Sequence, residues 1–158
     1  MSDFAGSRRL HVAGVFTLCL LTSLAWADDK ADVMAFVNRY AALEGDLAAQ
    51  EALIREDRVM ITNVRLTNQA QNMAGQKAGR KANEAMNGGP ATWLVLVESP
   101  EVRVYGNTAV ASFMRLTSVY PKTGAPINQA PLWVSLVLVK EGGKWGIAHT
   151  HLSPVGGN

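Results

Sequence analysis

Cysteine is nearly absent from this chain: the single Cys19 sits inside an apolar run near the start, so no disulfide can form within the chain. Histidine is almost as scarce, at three residues, His11, His149 and His151. Charged residues make up only 18% of the chain, and 15 basic against 13 acidic residues leave a net charge of +2, too little to draw a nucleic acid or an anionic membrane surface. No phosphate-binding loop, dinucleotide fingerprint or nucleophile elbow occurs. What remains is a chain that is 48% hydrophobic, the composition of something that folds around a core.

The longest apolar run, residues 12–24, is shorter than the roughly 20 residues a helix needs to span a bilayer. Arg8 and Arg9 precede it and Ala25-Trp26-Ala27 follows it, which is the pattern of a secretory signal peptide over residues 1–27, cleaved after Ala27. The arginine pair also admits a twin-arginine signal. Cleavage leaves 131 residues, 28–158, as a single domain, and it removes Cys19, Arg8, Arg9 and Asp3, so that 13 basic residues face 12 acidic ones. The expected location is secreted or periplasmic, with no membrane contact after cleavage.

Val33, Phe36, Val37, Tyr40 and Leu43 recur at three- and four-residue spacing, predicting an amphipathic helix over residues 30–43. Gly45-Asp46 interrupts it, and Asp46 is placed to cap a second helix over residues 47–55. A short strand is expected at 59–64, then a polar loop over 67–79 leading into a helix at 76–86, stopped by Asn87-Gly88-Gly89-Pro90. The rest reads as strands at 92–98, 102–105, 108–120, 129–140 and 145–152, divided by Ser99-Pro100, Gly106-Asn107, residues 121–126 and Glu141-Gly142-Gly143. Helices followed by an antiparallel meander make an α+β fold. Strands of thirteen and twelve residues bend as a sheet curls, and a curled sheet closed by helices encloses a pocket.

Period-two alternation puts Trp145, Ile147, His149, His151 and Ser153 on one face of the last strand, predicting that the histidine face turns toward the interior. Three roles compete for His149 and His151: structural hydrogen bonding, general acid or base, and metal ligation. Zinc takes three or four protein ligands, and no third stands at a diagnostic spacing, so no metal and no cofactor is expected. Arg115 lies on a strand face with Ala111, Phe113, Thr117 and Val119, where a charge that cannot be shed needs either a partner or an anion. Arg65 and Glu98 are weaker cases, and either could pair with Arg115. Tyr40 and Trp133 either line the pocket or belong to the core, and Asp57 reads as a solvated charge.

Gly45-Asp46 between the first helices and the closing Gly143-Lys144-Trp145-x-Ile147-x-His149-x-His151-x-Ser153 resemble the nuclear transport factor 2-like (SnoaL-like) superfamily. Within it the chain is most similar to the association, or hub, domain of calcium/calmodulin-dependent protein kinase II, whose Y-I-R-L-T-Q strand resembles residues 113–118. The resemblance implies a cone with a cystatin-like fold, N-terminal helices packed on a strongly curved, mostly antiparallel sheet, and assembly into dimers or rings. It also implies a pocket for small carboxylates, with Arg115 at one of the hub's arginine positions. The other two fall on Leu136 and Leu152, and the hub's pocket tyrosine and histidine fall near Gln50 and Gly79, which implies a less charged and more apolar pocket.

Other members of the superfamily are isomerases, dehydratases, epoxide hydrolases and polyketide cyclases. Three functions follow as expectations. The first is an exported small-molecule-binding protein using Arg115, His149, His151, Tyr40 and Trp133. The second is an enzyme of the isomerase, dehydratase or cyclase type with His149 or His151 as acid or base. The third is a homo-oligomeric module assembling through a sheet face made of Leu132, Val134, Leu136 and Leu138. Binding and catalysis rank ahead of pure assembly, because no fused partner is expected.

Overall fold

The computed structural model describes residues 13–62 and 65–156, with side chains from residue 28 onward. The side chains of the expected leader, 1–27, lie outside the described residues. Helix α1 (Ala13–Ala42) runs on through the expected cleavage point and gives way to a 3-10 turn (Leu43–Gly45). Its Val33, Val37, Tyr40 and Ala41 are buried, the face that the helical spacing marks out. Asp46 caps α2 (Leu47–Glu51) by accepting from the Ala49 amide at 3.0 Å, so this helix begins where the sequence places it and ends four residues sooner.

Among the described residues the strands are β1 (Ile54–Thr62), β2 (Arg65–Asn68), β3 (Thr92–Tyr105), β4 (Thr108–Tyr120), β5 (Ile127–Asn128), β6 (Leu132–Glu141) and β7 (Lys144–Pro154). They form one sheet in the order β2-β1-β7-β6-β4-β3, with β5 on β4, antiparallel throughout except that β1 pairs with β7 in parallel. Helix α3 (Gln69–Met86) starts earlier than its pattern predicts because Asn68 and Gln71 form a capping box, each side chain accepting from the other's backbone amide. Among the described residues no helix is long and apolar enough to cross a membrane.

The α+β fold expected from the order of elements, and the cone implied by the resemblance, are observed: the helices close the concave face of a curved, mostly antiparallel sheet. The core lies between them, with Val33, Val37 and Tyr40 of α1 against Phe113, Val134, Leu136, Leu138 and Ile147 of the sheet. Val134, Leu136 and Leu138 are thus the concave face of β6, which corrects their expected role as an outer assembly surface.

Three bulges shape the sheet. In β3, Ser99-Pro100 stands opposite a single residue of β4, and Ser99 adopts a φ of 49°, a rare conformation for a residue with a side chain. In β7, Val137 of β6 pairs with His149 and Leu138 pairs with Ile147, so Ala148 is an extra residue. In β1, Ile54 pairs with Ile147 and Val59 with His149, leaving Arg55 to Arg58 opposite Ala148 alone. Each extra residue reverses which side chains face inward beyond it.

Candidate functional site

The strand β4 delivers Arg115 to the concave face, in the company of Phe113 and Thr117, as its alternation requires. Its Nε donates to Thr117 Oγ1 at 3.0 Å, and its Nη2 lies 3.0 Å from Glu44 Oε2. The partner expected from sequence, Arg65 or Glu98, is therefore Glu44 instead; both alternatives are exposed. Glu44 reaches the interior because the 3-10 turn carries the helical face of Tyr40 one turn further, an i to i+4 step.

Glu44 is the centre of the site. Its carboxylate, 6% exposed as a residue, accepts from Gln50 Nε2 and Arg80 Nη2, each at 3.0 Å, and forms an ion pair with Arg115 Nη2 at the same distance. Gln50 also donates to the Tyr40 carbonyl at 3.1 Å, which ties α2 back to the end of α1. Charge-assisted bonds are about twice as strong as neutral ones, so the two donors and the ion pair together hold the carboxylate in one orientation. Arg80 arrives from α3 and lies over the Trp93 ring at 4.0 Å from its centroid. Burial lowers its pKa, and Glu44 works against that shift.

A second arginine is buried more deeply. The β1 bulge turns Arg58 fully inward, while Arg55 and Asp57 of the same run pair on the surface at 2.8 Å. Arg58 Nη2 donates to Asn72 Oδ1 at 2.6 Å and Nη1 to Thr150 Oγ1 at 3.5 Å, its Nε has no hydrogen-bond partner, and no carboxylate pairs with it among the described residues. Burial pulls its pKa below the ordinary guanidinium range, and the adjacent Tyr40 phenol opposes that. Burial likewise pushes the Tyr40 phenol above its usual value, against the pull of Arg58.

Tyr40, Glu44, Arg80 and Arg115 border two compartments that follow one another along the concave faces of β3 and β4. The inner chamber, about 450 Å³ of free volume with its mouth included, is lined by Tyr40, Glu44, Val95, Phe113, Arg115 and Leu152 among others. The outer cleft, about 680 Å³ counted the same way, is bordered by Arg80, Asn83, Pro90, Trp93, Val119 and Gln129 among others. On β3 the step from Val95 to Trp93, and on β4 the step from Arg115 to Val119, leads from one compartment to the next. Arg80, Glu44 and Arg115 stand at the junction.

Of the residues expected at the site, Tyr40 and Arg115 share the inner chamber. His149, His151 and Trp133 do not. Past Ala148 it is Thr150 and Leu152 that face inward, while His151 is paired with Ser135 and Trp133 with Ser153 on the convex face. His149 is half-buried, His151 exposed and Trp133 47% exposed. The expectation that the histidines look into the cone is thus corrected by one inserted residue. Among the described residues no three His, Cys, Asp or Glu side chains cluster as a metal site would require. Glu44, Arg58 and Arg80 were not singled out in the sequence, although Tyr40 and Glu44, like Gln76 and Arg80, are four residues apart.

A family model described as a SnoaL-like domain matches residues 33–156. No curated protein matches the chain. Among solved structures it is similar to a nuclear transport factor 2-like protein with a cystatin-like fold from Novosphingobium aromaticivorans, at 16% identity and a TM-score of 0.69 over 94% of both chains. It is also similar to the calcium/calmodulin-dependent kinase II hub homology domain of Chlamydomonas reinhardtii, at 23% identity and a TM-score of 0.61 over 79% of this chain and 97% of that one. A third is ActVI-ORFA from Streptomyces coelicolor, at 16% identity and a TM-score of 0.62 over 78% of this chain and 95% of that one. At these identities the likeness is one of fold.

Proposed function

The chain belongs to the SnoaL-like domain family, and from that premise we propose that it is an exported small-molecule-binding protein whose cone takes a small organic anion. The observation that carries this reading is the charge balance of the interior. Of three interior arginines, Arg80 and Arg115 pair with the buried carboxylate Glu44, and Arg58 has no carboxylate partner among the described residues. Buried cations are costly without counter-charge, and an anion entering the cone supplies it. Arg115, at the wall of the inner chamber beside Tyr40, is the anchor in this reading. Export rests on the leader pattern of residues 1–27.

Binding is favoured over turnover by what the chamber offers. Its carboxylate is already engaged by Gln50, Arg80 and Arg115, and His149 and His151 lie on the other face of the sheet. The test is calorimetric titration of the purified protein with short carboxylic acids and their amides. The acids are expected to bind and the amides to bind at least tenfold more weakly, and Arg115→Gln is expected to erase the difference. Equal binding of acid and amide removes the reading.

A second reading, self-association through the convex face, is favoured by three exposed apolar residues on it: Leu94 at 46%, Leu96 at 47% and Trp133 at 47%. It is compatible with the first. Light scattering at micromolar concentration is expected to give twice the chain mass or more, and a monomer there refutes it.

A further inference from the structure

We propose that Glu44 is a built-in competitor for the ligand's carboxylate, and that the ligand is a monocarboxylic acid with a flat apolar body lying in the outer cleft against Trp93. The inference rests on the anion-binding reading above and adds to it the residue that sets affinity and the compartment that takes the body. Glu44 bridges two guanidiniums from different elements, with Oε1 on Arg80 and Oε2 on Arg115. A bridging carboxylate between two arginines occupies the position a ligand carboxylate would seek. The junction of one carboxylate and two guanidiniums carries a net charge of +1, and the side chains are only 8%, 15% and 16% exposed, so the excess is poorly screened.

An entering carboxylate takes Arg115 from Glu44, which keeps Arg80 and Gln50. No bond other than hydrogen bonds is exchanged. The body is assigned to the outer cleft because that cleft is the roomier of the two and is bordered by flat apolar groups, the Trp93 indole and the rings of Pro90 and Pro121, together with Ile127. The amides of Asn83, Asn87 and Gln129 in the same wall leave room for a polar substituent, and Glu84 there disfavours a second negative charge.

Benzoate, acetate and benzamide are the probes, read by calorimetric titration with thermal melting as the check on folding. Wild type is expected to bind benzoate at least tenfold more tightly than acetate, a preference that Trp93→Ala abolishes. Glu44→Gln is expected to bind benzoate at least tenfold more tightly than wild type, with benzamide unchanged. Glu44→Asp keeps the charge but withdraws it by one methylene, so it is expected to tighten benzoate binding severalfold, which a long-range charge effect would not produce. Should Glu44→Gln fail to melt cooperatively, Glu44→Asp decides alone. Wild-type binding of benzoate that neither variant improves overturns the competitor role and leaves anion binding standing. Equal affinity for acetate and benzoate overturns the place given to the body. Absence of carboxylate binding in all three proteins overturns both the inference and the reading beneath it.

Discussion

The two faces of the sheet carry different kinds of polar residue. On the concave face Arg115, Glu44 from the adjoining turn and Arg80 from α3 interlock, and Arg58 from the β1 bulge bonds Asn72. On the convex face Ser112 and Ser135 lie 3.3 Å apart, with His149, His151 and Ser153 nearby and the exposed Trp133 among them. Inside, each polar atom is constrained by the cost of leaving it unpaired; outside, water takes that role. Chemical specificity is therefore concentrated on the concave side, even though both histidines are on the convex one.

Deleting Ala148 attacks the comparison most directly. It takes the bulge out of β7, so that His149 and His151 must turn inward and Thr150 and Leu152 outward. The expected result is loss of cooperative unfolding in circular dichroism melts; retention of the wild-type transition would mean that the bulge does not set the inward face.

The next effect separates the two buried arginines. Arg115→Met leaves one oxygen of buried Glu44 without its guanidinium, at an expected cost of about 1–3 kcal/mol in urea unfolding. Arg58→Met removes a charge that has no carboxylate partner, and Asn72 keeps its bond from Gln76. Its stability is expected to be unchanged or raised by about 1 kcal/mol. Equal losses for the two variants would erase the distinction between a paired and an unpaired interior cation.

A smaller effect is expected from pH. Burial raises the folded pKa of Tyr40 above its ordinary value of 10.0, so the unfolded chain gives up this proton first. Stability is full below that ordinary value and declines as pH rises through it, with a slope of up to about 1.4 kcal/mol per pH unit from this group. Tyr40→Phe is expected to flatten that alkaline decline, as measured by unfolding at a series of pH values from neutral upward. The smallest effects belong to the convex face. His149→Gln and His151→Gln are expected to change stability by about 0.5 kcal/mol or less and carboxylate binding by less than twofold, in contrast to Arg115→Gln.

Local periodicity was a sound guide wherever the backbone stayed regular. The buried face of α1, the cap at Asp46, and the grouping of Arg115 with Phe113 and Thr117 all follow from spacing alone, whereas the cone came from the resemblance. The same rule fails on β7, because period two holds only until a residue is inserted, and nothing about Ala148 as an amino acid marks it as that residue. On β6 the grouping was right and the side was wrong: Val134, Leu136 and Leu138 do share a face, but alternation cannot say which face the helices cover. Glu44 was missed for a different reason. It lies between the last apolar residue of the helical pattern and Gly45-Asp46, where spacing assigns it no face, and the 3-10 turn prolongs the buried face by one step. Arg80 and Arg58 reach the site from elements distant in sequence, and no local pattern encodes such a meeting.

The parallel pairing of β1 with β7 also bears on how the molecule is made. Val59 lies beside His149, 90 residues further along the chain, and the strands between them close the sheet only when β7 takes its place next to β1. Closing so long a loop is slow, and it cannot begin on a ribosome that has not yet released the C-terminal strand. The β1–β7 pairing is thus a late step of assembly, waiting on a strand made 90 residues after its partner.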